Sequence, residues 1–491
     1  MLSLDADPAV VLTRLGQQLD ETYQLLAQRL PENASASIEE VDGKARLVLL
    51  LDEAQDEPAS LRQLRVDVAA RLPKVDLPDL LLDVHRWTGF ADEFQHLSER
   101  RSRVEHLPMS VCAVLLSEAC NVGLAAVAQP EREALRPSRL SWVSQNYVRA
   151  ETIAAANARL VDFQSTLPDL PDWGKGYVAS VDGMRFRVLV KSIHSGQNPR
   201  YFGVGSGVTY LNFVADQFTS FHGIVVPGTL RDSLYALDGL IEQNTTLQPR
   251  QLISDTGASS YLIFGLFSLL GYQFSPELAG LPERRYWRLN AQTDYGALNA
   301  IATNRIQSRL IAAHWDDLLR IAGSLMTRQV RASDLIKVLG VAPKSSVVRA
   351  LEHFGRISYT QHLLTYHDDP VYRRVIGTQR NRQEARHSLG RALFQGERGE
   401  LRQHYLAGME DQLGALGLVM NAIIVWNSRY ISLVLAQLRA KGKVVNPEDA
   451  KRLSPLKYAH IHLKGRYHFS LDDQTRPEKL RKLRDPDALD D

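Results

Sequence analysis

The spacing of apolar residues changes once, near residue 176, and this change constrains the fold more than any other feature of the chain. Before it, apolar residues recur three and four positions apart, as in the segment with Val11, Leu15, Leu19, Tyr23 and Leu26. The stretch 165–176 contains two prolines and two glycines, which favour a linker. From Tyr177 onward apolar and polar residues alternate. We therefore predict a mostly helical region over residues 1–172 and a β-rich region after it.

Residues 177–277 predict a mixed sheet with helices packed on it. The alternation in 177–191 predicts a strand or a hairpin pair, and 207–217 predicts a third strand. The elements expected next are a helix over 229–244 with a capping-box-like start at Thr229 and Asp232, a strand over 250–255, a helix over 259–271 and a short strand or loop over 272–278. This order, β-β-β-α-β-α-β, is that of a ribonuclease H-like fold.

The rest of the chain is predicted to be helical. The fold class we expect is α+β multidomain: a ribonuclease H-like mixed sheet with a helical insertion before its last helix, flanked by mostly helical N-terminal and C-terminal regions. The expected parts are a helical scaffold that dimerises or contacts DNA (1–172), the first part of the sheet domain (173–277), the insertion (278–375), the final helix of the sheet domain (376–405), and a helical C-terminal region with a charged tail (406–491).

Composition excludes several classes of protein. The 58 basic and 56 acidic residues give a net charge of +2, so any polyanion site must come from local clustering. Two cysteines, Cys112 and Cys120, exclude a disulfide scaffold and a cysteine zinc cluster. The apolar stretches Leu262–Phe274 and Ala415–Trp426 are too short to span a membrane, and the acidic N-terminus does not resemble a signal peptide. We expect a bacterial cytoplasmic protein with no membrane partner.

Three carboxylates are candidates for a catalytic site. Asp182 precedes a glycine, which indicates either a type I′ turn or a metal ligand at a strand end. Asp255 ends a predicted strand, where ligands gather in open α/β sheets, although it could equally cap the following helix. Glu384 lies on a predicted helix face with Arg380, His387 and Arg391, which is either a metal-ligand position or a solvated ion-pair face. Together the three could bind Mg²⁺, a hard cation that prefers carboxylates and water.

Local charge favours a nucleic-acid partner. Residues 371–402 contain eight arginines and three glutamates, in a chain that is otherwise nearly neutral. Arginine suits phosphate because its planar fork bonds bidentately, although an ordinary Arg-rich surface is the alternative. The residues predicted to contact DNA are Arg380, Arg382, Arg386, His387 and Arg391. We expect structural or surface roles for the histidines in 460–468, and core packing for Trp426 and Asn427.

Several segments resemble the Tn-three family, the class II, replicative bacterial transposases. The segments that carry the resemblance are SVDGMRF, HGIVVPGTLRDSL, ISDTGAS, FGLFSLLGYQFSPELAGL, QEARHSLGRALFQGERGELRQHY and MEDQLGALGLVMNAIIVWNSRY. The resemblance implies an Asp-Asp-Glu triad at Asp182, Asp255 and Glu384, separated by 73 and 129 residues. Glu400 and Glu410 are rivals for the third position, but neither is followed by the Arg-His pair.

The resemblance implies metal-dependent DNA chemistry. We expect two Mg²⁺ ions, with Mn²⁺ as a substitute, to support cleavage at the transposon 3′ ends and strand transfer into target DNA. The expected partners are DNA and a second copy of the chain or a full-length transposase. Family members are longer and carry N-terminal domains that recognise the inverted repeats, which this chain is expected to lack. The alternatives are an inactive remnant that binds DNA or a partner without turnover, and a different ribonuclease H-like nuclease.

Overall fold

The N-terminal third of the chain is helical except for one hairpin. The computed structural model describes residues 4–50, 56–96, 98, 104–168, 170, 172–228, 234–258, 260–340, 345–465, 467–470 and 480–486. Its first elements are α1 (Pro8–Arg29), β1 (Ala36–Val41), β2 (Lys44–Leu49), α2 (Ala59–Arg71), β3 (Val75–Asp76), α3 (Leu77–Thr88), α4 (Leu107–Ala119), α5 (Pro137–Asn146) and α6 (Ala150–Ser165). The hairpin β1–β2 was not predicted.

A curled mixed sheet follows. Its elements are β4 (Val178–Val188), β5 (Gly196–Gln197), α7 (Pro199–Phe202), β6 (Ser206–Ala215), β7 (Ser220–Pro227), α8 (Ala236–Glu242), β8 (Gln251–Ser254), α9 (Tyr261–Leu269) and β9 (Gln273–Pro276). The central strand β4 is antiparallel to β6 and parallel to β8. Two further strands extend the sheet: β7 pairs antiparallel with β6, and β9 pairs parallel with β8. This α+β arrangement is consistent with a ribonuclease H-like core.

One alternative for a predicted element of the sheet is wrong, and part of another predicted element lies outside the described residues. The hairpin alternative for 177–191 is wrong, because Val178–Val188 is one strand that pairs with β6 along its length. The third antiparallel strand is instead β7, which follows a turn with Phe218 at φ +74°. The helix expected over 229–244 is observed as α8, but its proposed capping residues Thr229 and Asp232 lie outside the described residues.

The remaining elements are mostly helices. They are β10 (Trp287–Arg288), β11 (Asn304–Arg305), α10 (Ser308–Ala313), α11 (Trp315–Met326), α12 (Ala332–Gly340), α13 (Ser346–Asp368), α14 (Pro370–Leu393), α15 (Leu406–Ala440), α16 (Pro447–Lys451) and β12 (Ile461–His462). Helix α14 begins at a favourable cap, where the Asp369 carboxylate accepts a hydrogen bond from the Val371 amide and Pro370 occupies the first turn. This helix carries the predicted Glu384.

The sheet lies between two hydrophobic cores. Met184, Phe186 and Val188 of β4 face a core built with α3, α4, α6 and α15. Ala179 and Val181, of the opposite parity, face a second core built with α8, α9, α11 and α13. Residues 1–172, predicted as one region, contribute to both, since α1 packs on α13 while α3, α4 and α6 pack on α15.

Helix α15 has 35 residues and is long and apolar enough to cross a membrane by length and composition. However, 89% of its most apolar window is buried inside the fold, as expected for a core helix. Trp426 and Asn427 lie on this helix, and both are fully buried, as the sequence predicted. The Asn427 amide donates to the carbonyls of Pro455 and Lys457, so this helix also anchors the C-terminal segment.

A close approach between α9 and α13 gives the first testable prediction. A Cβ built on Gly355 would lie 2.0 Å from the Tyr261 carbonyl oxygen and 2.5 Å from the Gly265 nitrogen. Because backbone atoms cannot move aside cheaply, we expect Gly355→Ala to lower the free energy of unfolding by about 1–3 kcal/mol. Urea unfolding would measure this. Gly377→Ala in α14 is the matched control: nothing lies within 4 Å of its Cβ, so the change should be neutral or stabilising.

Candidate active site

The two aspartates occupy equivalent positions on neighbouring parallel strands. Pairing between β4 and β8 ends with Ser180 opposite Ile253, and Asp182 and Asp255 each follow two residues later. Adjacent strands lie about 5 Å apart, so this register brings the two carboxylates to the same edge of the sheet. Asp182 is within β4 and pairs with Asn212 of β6. It was expected at a strand end; instead β4 continues past the end of its shorter neighbour, β8.

Glu384 reaches the same cleft from helix α14. The cleft is lined by Ser180, Val181, Asp182, Ile253, Ser254, Asp255, Arg380, Gln383 and Glu384. All three predicted carboxylates therefore face one concave surface. Asp182 is half-buried and Glu384 is exposed, so the helix side of the cleft is the open one.

Buried glutamines fix α14 against the sheet. Gln383 accepts a hydrogen bond from the Ser180 hydroxyl at 2.8 Å and donates to the Asn212 carbonyl at 3.1 Å. One turn earlier, Gln379 donates to the Val214 carbonyl at 2.9 Å. These contacts hold the register of the helix on β4 and β6, and Glu384 is the next residue after Gln383. Sequence reasoning missed both glutamines, because a buried polar residue leaves no mark on an apolar pattern.

The electrostatics of the cleft favour a bound cation. Burial raises the pKa of Asp182, with the Gly183 amide and Arg185 acting in the opposite direction. Burial also raises the pKa of Asp255, and the negative charge of Asp182 raises it further. Two carboxylates that repel each other in a partly desolvated cleft are stabilised by a cation placed between them.

His387 lies behind Asp182. Its Nδ1 atom is 3.7 Å from the Asp182 carboxylate, and only 5% of the residue is exposed. Burial lowers the pKa of His387 to about 3, and the nearby Arg391, Arg386 and Arg185 add to this effect. The imidazole is therefore neutral at physiological pH and suits positioning of the aspartate better than contact with a DNA phosphate.

Arg380, which lines the cleft, is shared between two carboxylates. It forms an ion pair with Glu277 and lies 3.7 Å from the Oε1 atom of Glu384. Glu277 directly follows β9, so it stands at the end of the third parallel strand, as Asp255 stands after β8. Sequence reasoning missed Glu277, although the same strand-end signal that found Asp255 points to it.

The other predicted DNA contacts divide into buried and exposed residues. Arg386 is fully buried and donates to the carbonyls of Phe218 and Gly417 at 3.4 and 3.2 Å. Arg382 is partly buried and donates to the carbonyls of Trp173 and Asp216. These two side chains brace the fold, and this placement does not match the expected DNA contact. Arg391 is exposed, and Arg380 is partly exposed.

Within the described ranges, no three Asp, Glu, His or Cys side chains lie close enough together to hold a metal ion. The chemistry of the cleft nevertheless fits a hard divalent cation, because three carboxylates face it and two of them repel each other. Arg380 meets Glu384 on the helix side of the same cleft.

The histidines of 460–468 take no part: His460 is buried against Trp426 and contacts Asn427 at 2.9 Å.

The shared arginine gives a second prediction. In Glu277→Gln, Arg380 keeps Glu384 as its only charged partner in the described residues, so a divalent cation competes less well for the Glu384 carboxylate. We expect the apparent Mn²⁺ affinity to fall by about two- to tenfold. Titration of free Mn²⁺ by electron paramagnetic resonance measures this. Glu283→Gln removes an equal charge from an exposed position outside the cleft, and an equal shift there would contradict the prediction.

The fold and the cleft define an α+β protein with an acidic site at the edge of a mixed sheet. More particularly, the chain belongs to the Tn3 family of transposases, since the model for the Tn3 transposase DDE domain matches residues 79–467. The family resemblance seen in the sequence is thereby confirmed.

Characterised relatives agree with this assignment. The transposase for transposon gamma-delta of Escherichia coli (strain K12) is 48% identical over 96% of this chain and 47% of its own length. The transposase for transposon Tn4556 of Streptomyces fradiae is 44% identical over 96% of the chain and 52% of its own length. The transposase for transposon Tn1546 of Enterococcus faecium is 32% identical over 96% and 47%. The chain thus spans about half the length of the relatives it matches.

Proposed function

We propose that this chain carries the catalytic part of a DDE-type DNA transposase with a ribonuclease H-like core, and that Asp182, Asp255 and Glu384 are its catalytic triad. The observation that supports this most directly is that all three carboxylates line one cleft, with Asp182 on β4 and Asp255 directly after β8 at matching positions. The proposed reactions are 3′-end cleavage of the transposon and strand transfer in replicative, cointegrate-forming transposition.

The triad would hold two Mg²⁺ ions, with Mn²⁺ as a substitute. When bound, such ions activate the attacking oxygen and stabilise the leaving oxygen of an in-line phosphodiester displacement. The protein's part is to position the ligands: the Gly183 amide and His387 orient Asp182, while Gln383 fixes the helix that presents Glu384. Arg380 is placed to contact a phosphate oxygen once it leaves Glu384.

Two displacements at phosphorus account for the products. In the first, a water oxygen bonds to the phosphorus at the transposon end, the bond from phosphorus to the 3′ oxygen breaks, and a free 3′-OH results. In the second, that 3′-OH attacks a phosphate of the target DNA, and the target's own 3′ oxygen leaves. Neither displacement needs a covalent bond between protein and DNA.

The proposed partners are DNA and a second transposase subunit. Two transposon ends must be held together for a paired insertion, so we propose a homodimer or association with a full-length transposase. Arg391 and Arg380 are the predicted DNA contacts that remain accessible, and phosphate binding through them would weaken steeply with salt. The proposed location is the bacterial cytoplasm, at the nucleoid.

The test is a strand-transfer assay with the purified chain. A labelled duplex with an exposed transposon-end 3′-OH is incubated with a supercoiled target plasmid, with Mg²⁺, with Mn²⁺ or with neither. Joined products that require the metal would support the proposal. Cleaved DNA without joined products would favour a different nuclease, and DNA binding with neither product would favour a non-catalytic remnant.

A further inference from the structure

The connection between β4 and β6, residues 189–205, is exposed and apolar at several points; we name it the β4–β6 arm. Ile193 is 92% exposed, Val204 is 102% exposed and Leu189 is 51% exposed. A single exposed apolar side chain is ordinary, but several within one short segment are typical of an interaction site. The arm continues directly from strand β4, which carries Asp182.

The charge of this region limits what the partner can be. From Gly183 to Ala215 the sequence contains four Arg or Lys residues and no Asp or Glu. In the part of the chain that the structure describes, no carboxylate lies within ion-pair distance of Lys191 or Arg200. A two-fold contact between two copies of the arm would place these like charges against each other. The charge instead complements a polyanion.

An aromatic residue in the arm contacts an arginine whose charge acts on the cleft aspartates. The Arg185 guanidinium lies 3.7 Å from the centre of the Tyr201 ring, which remains 42% exposed. Arg185 follows Asp182 by three residues on β4, and its charge acts on both Asp182 and Asp255. The Arg185–Tyr201 stack therefore connects the arm to the catalytic edge of the sheet.

We propose that the β4–β6 arm binds an unpaired DNA strand beside the cleft. Tyr201 stacks on an exposed base, Ile193 and Val204 wedge between the separated strands, and Lys191 and Arg200 contact phosphates. This inference rests on the proposed function, because it assigns the arm to the DNA on which the cleft acts. The proposed triad needs only a phosphodiester bond in the cleft. The arm would add a second activity, the separation of the two DNA strands next to that bond.

The test compares two DNA probes of one sequence, a fully paired duplex and the same duplex with one end splayed into single strands. Binding is measured by fluorescence anisotropy in the absence of metal, so that it does not depend on turnover. We expect the intact chain to bind the splayed probe about tenfold more tightly. The triple variant Ile193→Ser, Tyr201→Ala, Val204→Ser should bind both probes equally.

Two further variants sharpen the result. Val444 is 93% exposed on another part of the surface, so Val444→Ser should keep the preference for the splayed probe. The double variant Lys191→Gln, Arg200→Gln should lower the slope of log affinity against log salt by about one to two.

Four outcomes would overturn the inference and leave the proposed function standing. They are equal binding of both probes by the intact chain, a preference that survives in the triple variant, a preference lost in Val444→Ser, and self-association of the chain that disappears in the triple variant. Failure to bind either probe would overturn the proposed function as well. Loss of strand transfer with the splayed-probe preference intact would overturn the proposed function alone.

Discussion

Replacing any one of Asp182, Asp255 or Glu384 by its uncharged isostere is expected to lower the rate of strand transfer by at least about 10³-fold. Each variant, Asp182→Asn, Asp255→Asn or Glu384→Gln, removes one negative charge from the cleft and keeps the side-chain volume. Because the two proposed divalent cations would need the summed charge of these carboxylates, each loss should act on the transition state rather than on DNA binding. Single-turnover strand transfer at saturating DNA measures the effect.

The unfolding temperature of the variants distinguishes a catalytic role of the two aspartates from a structural role. Burial raises the pKa of Asp182 and of Asp255, and the negative charge of Asp182 raises that of Asp255 further, so the charged forms of the two aspartates destabilise the metal-free fold. The folded state binds the protons of Asp182 and Asp255 more tightly than the unfolded state does. The destabilisation of the fold by the two charged carboxylates therefore decreases as the pH falls through their raised pKa values. Asp182→Asn and Asp255→Asn should therefore unfold in metal-free buffer at the same temperature as the unchanged chain or above it.

A surface variant supplies the control. Glu448 is exposed and pairs only locally with Lys451, so Glu448→Gln removes one charge without touching the cleft. It should retain full strand-transfer activity. If a triad variant retained more than about one tenth of the activity, or lost activity and stability together, the assignment of that residue would be contradicted.

One tripeptide shows why the sequence could not decide the backbone at Asp182. Val-Asp-Gly occurs twice, at Val41–Gly43 and at Val181–Gly183. The first copy forms the tight turn of the β1–β2 hairpin, with Asp42 at φ 52° and Gly43 at φ 70°. The second continues through the middle of β4, paired with Asn212 and Leu211 of β6. The local preference is the same, and pairing with distant strands overrides it in the second copy.

The same limit applies to helix α14. Its existence and the position of Glu384 beside Arg380 could be predicted, because alternation, helical spacing and charge are local signals. The face that it buries could not, since that face carries Gln379, Gln383, Arg386 and His387, and Ala385 is exposed. An apolar stripe is the usual guide to the buried side of a helix, and α14 instead buries these polar residues together with Ile376, Leu389 and Leu393. The sheet contacts that select this face come from residues about 200 positions away.

The second large effect is expected from replacing Arg386, and it concerns the stability of the fold rather than catalysis. The guanidinium is fully buried and joins the Phe218 carbonyl, in the turn before β7, to the Gly417 carbonyl on α15. Burial lowers its pKa to about 10, so it remains charged at physiological pH. Arg386→Ala leaves two buried carbonyls without this donor and opens a cavity, and we expect it to lower the free energy of unfolding by about 3 kcal/mol. The shift of the urea midpoint at an unchanged slope measures this.

Arg391 provides the matched comparison, one turn and a residue further along the same helix but exposed to solvent. Arg391→Ala should change the free energy of unfolding by less than about 0.5 kcal/mol and should weaken DNA binding with a smaller salt dependence. Arg386→Met, which keeps much of the volume and loses the donors, should fall between Arg386→Ala and the unchanged chain. If Arg386→Ala instead weakened DNA binding while stability stayed constant, the DNA contact expected from the sequence would be correct and its bracing role would be excluded.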